Sequence, residues 1–446
     1  MARRRVSPDP FEVQIDALDR QGRGRAAYQD RALLVHGALP GETVRAKHLF
    51  GRRFRGQAET LEVLHAAPER VTAPCPSFGA CSACSLQHLA ETEQLAFKQK
   101  HLLDLLQESG GLRPERVLAP LSGARWSYRR KARLSVRDVP AKGRILVGFR
   151  ERDARFVMDM QTCHTLAAPI AAALPELSTL LGTLDARSQI PQLEASCGDD
   201  QAALVLRHME PLSAADKERL ECFQADTGLR LYLQPKGPDT VHPLTSGPSQ
   251  LRYALPAFDL EFRFEPLDFV QVNGSMNELM IQQALDLLAL EPEDRVLDLF
   301  CGLGNFTLPL AQQAGSVLGL EGSEDLVARG LENARHNGLE QVAFRAVDLY
   351  GEQLRDQWPS ETFDAVLLDP PRSGAGAVLP LIAATGASKL LYVSCNPETL
   401  ASDAALLVRE HGYQLRAAGA MDMFPQTTHI EAMALFTRPG ETTNGA

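Results

Sequence analysis

The sequence predicts a multidomain protein with an N-terminal OB-like β-barrel, a strand-rich middle and a C-terminal α/β Rossmann-like domain. Three observations predict it. Short apolar runs broken by Gly and Pro fill residues 11 to 65, alternating runs fill 126 to 260, and from about 275 buried strands alternate with helices. The chain has 446 residues, enough for two to four domains. With 44% hydrophobic and 23% charged residues it has the composition of a globular protein, not of a collagen, a disordered chain or a disulfide scaffold. No run approaches a membrane span, and the start Met-Ala-Arg-Arg-Arg is followed by no apolar stretch, so an export signal is not expected. The expected location is cytoplasmic.

The barrel is expected over residues 1–68. Phe11 to Ile15 alternates, Arg31 to Val35 comes next, and Gly22, Gly24, Gly37, Pro40 and Gly41 punctuate them. Residues 1–60 hold 12 Lys and Arg against 7 Asp and Glu, with Arg52, Arg53 and Arg55 around Phe54. The whole chain has a net charge of −10, yet residues 1–150 carry 26 basic against 15 acidic side chains, leaving 20 against 41 for the rest. A basic front on an acidic back is the asymmetry of a chain that meets a polyanion through one region, so RNA is the expected partner of the barrel.

A middle domain is expected over 69–262. Residues 74–88 form a cysteine-bearing loop, and Thr92 to Ser109 reads as a helix ended by Gly110-Gly111, expected to pack on the catalytic part. Further strands are read at Lys131–Val136, Ile145–Phe149, Ala202–Arg207 and Leu229–Leu233, with a loop from Thr240 to Pro248. Cys75-x5-Cys81-x2-Cys84 is a compact ligand cluster, and Cys163 is a candidate fourth thiolate. Four thiolates suit zinc and an iron–sulfur cluster alike, and the spacing leaves the two open. Cys197 and Cys222 are read as ordinary thiols, and Cys301 as part of a ligand loop, not a nucleophile.

The Rossmann-like domain is expected over 263–446. Helices are read at Asn277–Leu290, Asn305–Gln313, Glu324–His336 and Pro397–Glu410. Between them lie strands at Arg295–Phe300, Ser316–Leu320, Val342–Val347, Phe363–Leu368 and Lys389–Val393. Ligands of such sheets sit at the carboxyl ends of the strands. There the sequence places Asp298-Leu299-Phe300-Cys301-Gly302-Leu303-Gly304-Asn305-Phe306, Glu321, Asp348 and Asp369. A carboxylate such as Glu321 can bind both hydroxyls of a ribose, and Asp348 is placed to meet an adenine edge. The missing third glycine of a dinucleotide fingerprint, Thr307 here, fits a ligand without a pyrophosphate. This ordered set resembles the S-adenosylmethionine-dependent methyltransferases. The fifth strand delivers Cys395 to the same edge just before a helix, where a helix N-terminus is expected to lower a thiol pKa. Glu431 is a carboxylate in an otherwise apolar strand.

Ser394-Cys395-Asn396-Pro397, Asp369-Pro370-Pro371-Arg372, Phe269-Val270-Gln271-Val272-Asn273 and His429-Ile430-Glu431 resemble the RNA uracil-C5 methyltransferases. The resemblance implies that Gln271, Phe300, Asn305, Glu321, Asp348 and Asp369 bind S-adenosylmethionine, that Cys395 is the nucleophile and that Glu431 is the general base. It also implies that Cys75, Cys81, Cys84 and Cys163 hold a [4Fe-4S] cluster of structural role, as in one branch of the family, although Ala80 stands where Gly is expected. The branch with an N-terminal TRAM barrel, the cluster and the catalytic domain acts on 23S rRNA, and this chain is similar to it nearly end to end. The implied product is 5-methyluridine. A dual-site 23S rRNA enzyme or a tRNA enzyme is the alternative within the family. An amino-group methyltransferase, whose Asp-Pro-Pro is followed by an aromatic where Arg372 stands here, and a non-catalytic RNA-binding iron–sulfur protein are the alternatives outside it. No protein partner and no membrane are expected.

Overall fold

The computed structural model describes residues 9–247 and 250–438. The chain divides into two compact units, and the division falls within one helix, α1 (Glu91–Gly110). The first unit comprises residues 1–98, 149–158 and 426–428; the second holds the rest.

The first unit carries a six-stranded sheet of β1 (Phe11–Gln14), β2 (Ala17–Leu18), β3 (Gly24–Tyr28), β4 (Arg31–His36), β5 (Thr43–His48) and β6 (Gln57–His65), in the order β1-β5-β6-β4-β3-β2. All neighbours are antiparallel except β4 and β6. Alternate residues turn inward, so Val13, Ile15, Ala26, Leu33, Val35, Val44, Ala46 and Ala58 close a small core. Below it, Glu42 is fully buried and accepts from Leu39 N (2.7 Å) and from both Nε (2.5 Å) and Nη2 (2.7 Å) of Arg70. These bonds hold its carboxyl below the usual range despite burial, which by itself acts the other way.

In the second unit a sheet of β8 (Lys131–Val139), β9 (Arg144–Gly148), β10 (Gln192–Cys197), β11 (Ala202–Arg207), β12 (Arg230–Gln234) and β13 (His242–Pro243) has the order β13-β12-β11-β10-β8-β9. It comes after the two-residue strand β7 (Arg116–Val117). The strand-rich reading of this region misses two helices, α2 (Ala168–Thr183) and α3 (Ala214–Thr227). In α2 the buried Ile170, Ala173, Leu174, Leu177 and Leu181 obey helical spacing, but Pro175 sits among them and blurs the signal. Ser213 caps α3 by accepting from Asp216 N. A hairpin of β14 (Leu251–Leu255) and β15 (Leu260–Phe264) leads to α4 (Gly274–Leu288), capped by Asn273. Pro248, the end of the expected loop, lies outside the described residues.

The remaining sheet positions the chemistry. Its strands are β16 (Arg295–Leu299), β17 (Ser316–Glu321), β18 (Val342–Ala346), β19 (Ala365–Leu368), β20 (Lys389–Ser394), β21 (Gln414–Met421) and β22 (Glu431–Thr437). The order is β18-β17-β16-β19-β20-β22-β21-β7. The first five are parallel, and β22 is antiparallel to both its neighbours. Helices α5 (Thr307–Ala311), α6 (Glu324–His336), α7 (Leu354–Gln357), α8 (Leu379–Ala384) and α9 (Pro397–Arg409) make the crossovers. Strand order reverses between β16 and β19, so a crevice opens at the carboxyl ends there. Helix α5 is shorter than the expected 305–313 because the Asn305 side chain is tied down in the turn before it. Leu102, Leu105 and Leu106 of α1 pack with Leu297, Leu299, Val366, Leu368 and Leu390 of this sheet. Among the described residues, no helix is long and apolar enough to cross a membrane.

Candidate active site

Every expected nucleophile, base and cofactor residue lies in the second unit. At the end of β16 the chain turns through Phe300, Gly302 and Gly304, all left-handed, with φ of +62°, +56° and +97°. A bulky residue in that region is a true outlier and marks a turn held for a purpose. A Cβ at Gly304 would stand 2.6 Å from Leu308 and 3.0 Å from the Phe344 ring, so only glycine lets the loop lie this close. Glu321, at the tip of β17, accepts from Gly302 N (3.1 Å) and Ser323 N (3.0 Å) and thereby ties the two strand ends together. Asp348, just past β18, accepts from Tyr350 N (3.0 Å). The Asn305 amide is engaged on both sides. Its Oδ1 accepts from Tyr253 Oη (3.0 Å) and Asn277 Nδ2 (2.8 Å), and its Nδ2 donates to Asn277 Oδ1 (2.9 Å). Gln271 lies in the segment that runs into the Asn273 cap; its neighbour Val270 is buried and Phe269 is exposed.

Asp298, near the end of β16, opens the loop segment that the sequence places at the ligand edge but is given no contact of its own there. It is buried, its Oδ2 accepts from Thr307 Oγ1 (2.6 Å), and its Oδ1 has no hydrogen-bond partner among the described residues. Burial pushes its carboxyl up to about 8, and the charges of Asp369 and Glu321 add to the shift. The signal was available: an acid near the end of a fully buried strand.

The antiparallel register of β20 and β22 sets Ser394 opposite Ala432. One step on, at the rim, stand Cys395 and Glu431. Asn396 caps α9 by accepting from Glu398 N (3.2 Å), and its Nδ2 donates to Arg372 O (2.8 Å), joining the cysteine turn to the Asp369-Pro370-Pro371-Arg372 loop. The expected lowering of the Cys395 pKa by the helix N-terminus is corrected: the thiol is pushed up to about 11. Half-burial is the main cause, followed by the charges of Glu431 and Asp369, and only Arg372 among the side chains opposes them. Burial together with two acids outweighs one guanidinium. Asp369 is itself pushed up to about 7 by burial. Glu431, 3% exposed, is raised well above its usual range by burial and by the charge of Asp369. Cys301 is buried and its thiol is raised as well, in keeping with a packing role.

Cys75, Cys81 and Cys84 belong to the first unit and Cys163 to the second. None of the four is in a disulfide among the described residues. Gln87 accepts from Cys75 N (3.3 Å), Cys81 forms a bridge with Glu151, and Cys163 Sγ lies 3.3 Å from Thr165 Oγ1. Among the described residues, no group of three or more His, Cys, Asp or Glu is arranged to hold a metal ion. The donors are right in kind for a soft metal.

A doubly wound sheet with acids at its strand tips is the fold of an enzyme that binds a nucleoside-containing cofactor at the carboxyl ends of its strands. The family described as tRNA (Uracil-5-)-methyltransferase matches residues 251–439. A protein of Alkalilimnicola ehrlichii named 23S rRNA (uracil(1939)-C(5))-methyltransferase RlmD is 51% identical over 441 residues, 98% of this chain and 99% of the relative. A protein of the same name from Xanthomonas oryzae pv. oryzae is 48% identical over 98% of this chain and 99% of its own length. The structure of a Pyrococcus abyssi tRNA (uracil-54, C5)-methyltransferase in complex with S-adenosyl-L-homocysteine shares the fold. Its TM-score is 0.73 at 21% identity, covering 96% of this chain and 100% of that one. The chain belongs to the RNA uracil-C5 methyltransferase family.

Proposed function

We propose that the protein methylates C5 of one uridine in 23S rRNA, giving 5-methyluridine, with S-adenosylmethionine as methyl donor. Near end-to-end identity to relatives named for that reaction supports the substrate. The observation that supports the chemistry is the register that ends with Ser394 opposite Ala432, so that Cys395 and Glu431 are the next residues of the two segments and the Glu431 charge reaches the Cys395 thiol.

Uracil C5 is a poor carbon nucleophile. Addition of the Cys395 thiolate to C6 turns the ring into an enolate with electron density at C5. C5 then forms a bond to the methyl group as the methyl–sulfur bond of the donor breaks. Glu431 removes the C5 proton, the C5=C6 bond re-forms, and the Cys395 sulfur leaves. A thiol raised to about 11 is mostly protonated near neutral pH, so its thiolate is scarce but strongly nucleophilic. Arg372 favours that thiolate. Glu431 must be ionised to act as base, which its burial beside Asp369 resists.

Gln271, Phe300, Asn305, Glu321, Asp348 and Asp369 are assigned to the S-adenosylmethionine site. The left-handed turn at Phe300–Gly304 fits a ligand lying close to backbone. Cys75, Cys81, Cys84 and Cys163 are assigned to a [4Fe-4S] cluster of structural role, since methyl transfer moves no net electron. Residues 1–68 are assigned to a TRAM-type barrel that binds RNA through its basic side chains, and the site of action to the cytoplasm. The test is tritium release from RNA labelled at uridine C5. Wild type should release the label, and Cys395→Ala should not. Methyl incorporation without release would overturn the C5 assignment.

A further inference from the structure

Tyr350 is 46% exposed, a large ring at the surface just beyond β18. Its backbone N–H binds Asp348 Oδ1, and its ring centroid lies 5.6 Å from that of Phe300, with the planes tilted by 39°. Its hydroxyl donates to Gly374 O (2.6 Å) and accepts from Ser373 Oγ (3.1 Å). Tyr350 therefore touches, at one end, the wall assigned to the cofactor and, at the other, the loop that carries Asp369 and Arg372.

That loop is pinned at two further points, both from α9 and its cap. Asn396 Nδ2 holds Arg372 O, and Asp403 Oδ2 accepts from Ala375 N (2.7 Å) and from Tyr392 Oη (2.7 Å). Gly374 lies between these points with φ +84°. A Cβ there would meet Asp403 Oδ2 at 2.9 Å and Thr399 Cβ at 3.0 Å, so the loop fits only without a side chain at this position. Both of these anchors come after the nucleophile in the chain. Tyr350 contributes a third anchor from the side of the sheet where β16 and β18 end.

We propose that Tyr350 is a positioning residue that couples S-adenosylmethionine binding to the placement of the Asp369–Ala375 loop, and so of the Arg372 guanidinium beside the Cys395 sulfur. A cofactor lying against Phe300 restrains the neighbouring Tyr350 ring. The restrained hydroxyl holds Gly374 O, and the loop reaches its working position only when the methyl donor is in place. Ring and hydroxyl thus have separate jobs: the ring serves binding and the hydroxyl serves the loop. This rests on the assignment of Phe300 to the cofactor site.

The experiment measures S-adenosyl-L-homocysteine affinity by calorimetry and kcat by tritium release, on full-length protein whose melting temperature is unchanged. Tyr350→Phe keeps the ring and should bind S-adenosyl-L-homocysteine as wild type does, with kcat lowered about tenfold, the order of one neutral hydrogen bond. Tyr350→Leu loses the ring as well and should weaken that affinity by roughly three- to tenfold, as for one aromatic contact. Unchanged kcat in Tyr350→Phe would overturn the coupling. So would equal loss of affinity in both variants, because ring and hydroxyl would then act as one. Phe300→Ala separates the two levels. If it leaves S-adenosyl-L-homocysteine affinity intact, the cofactor assignment itself fails; if it weakens affinity while Tyr350→Leu does not, only the role of Tyr350 fails.

Discussion

Ser394 and Ala432 are the last paired residues of an antiparallel ladder between β20 and β22, and Cys395 and Glu431 are the next residues of the two segments, near enough that the Glu431 charge raises the Cys395 thiol. Backbone hydrogen bonds of the sheet thus fix the chain up to the residue beside each of them. The nucleophile and base proposed above, which would act on adjacent carbons of one ring, need that constancy.

In the proposed reaction the two residues act at different moments, so their variants should fail differently. Cys395→Ala should abolish turnover and form no covalent RNA complex. In Glu431→Gln the sulfur can still add and the methyl can still transfer, but the C5 proton stays and elimination stalls. A methylated protein–RNA adduct should survive denaturing electrophoresis, and the double variant should lack it. Normal turnover by Glu431→Gln would assign the base elsewhere.

The raised Cys395 thiol sets a pH dependence. Below about 11 the thiolate fraction grows with pH, so alkylation of Cys395 by iodoacetamide in the free protein should speed up about tenfold per pH unit from 7 to 9. Arg372→Ala removes the one side chain that opposes the rise and should slow alkylation at each pH. Mass spectrometry of the Cys395 peptide gives both rates. A rate that levels off by pH 7 would show a thiol with a low pKa.

Asp298 predicts a pH effect on stability. Its folded pKa, about 8, lies above the value of an exposed Asp, so the folded state binds the extra proton between about 4 and 8. The stability linked to that proton is complete below about pH 4 and is lost as pH rises through about 8. Asp369, at about 7, acts in the same sense. The melting temperature should fall from about pH 6 to about pH 9, and Asp298→Asn should flatten the fall. An identical slope in the variant would exclude Asp298 as its source.

Arg52 and Arg55 are exposed beside the 3-10 turn that holds Phe54. If they contact phosphates, Arg52→Ala and Arg55→Ala should each lower the slope of log affinity against log salt by about one. Filter binding of a 23S rRNA fragment at several salt concentrations reads this. Unchanged slopes would remove that part of the sheet from the RNA interface. Neighbouring Arg53 is a poorer probe, because it already pairs with Asp153 at 2.9 Å.

The parts of the site at strand ends were legible in the sequence. A buried strand reads as an apolar run, and the residue after such a run must lie at the sheet edge, so Glu321, Asp348, Asp369 and Cys395 could be placed from residue order alone. The electrostatics were not legible. A helix N-terminus next to Cys395 is visible in Asn396-Pro397, but two buried acids 26 residues before and 36 residues after it in the chain are not visibly its neighbours. Burial of the thiol, with their charge added to it, reverses the expected shift. Tyr350 and Asp403 were missed for a related reason: each works through a carbonyl or N–H of a distant loop, and backbone partners leave no mark on residue type. Helix α2 was hidden by composition, since an almost wholly apolar stretch with an internal Pro has little amphipathic contrast.

The first unit is threaded from three pieces, and only two residues separate the last of them, residues 426–428, from Glu431 at the start of β22. A chimera that swaps the whole unit with a relative's must graft three stretches at once, and the third join falls two residues before Glu431. A transplanted first unit therefore brings with it a change next to the proposed base.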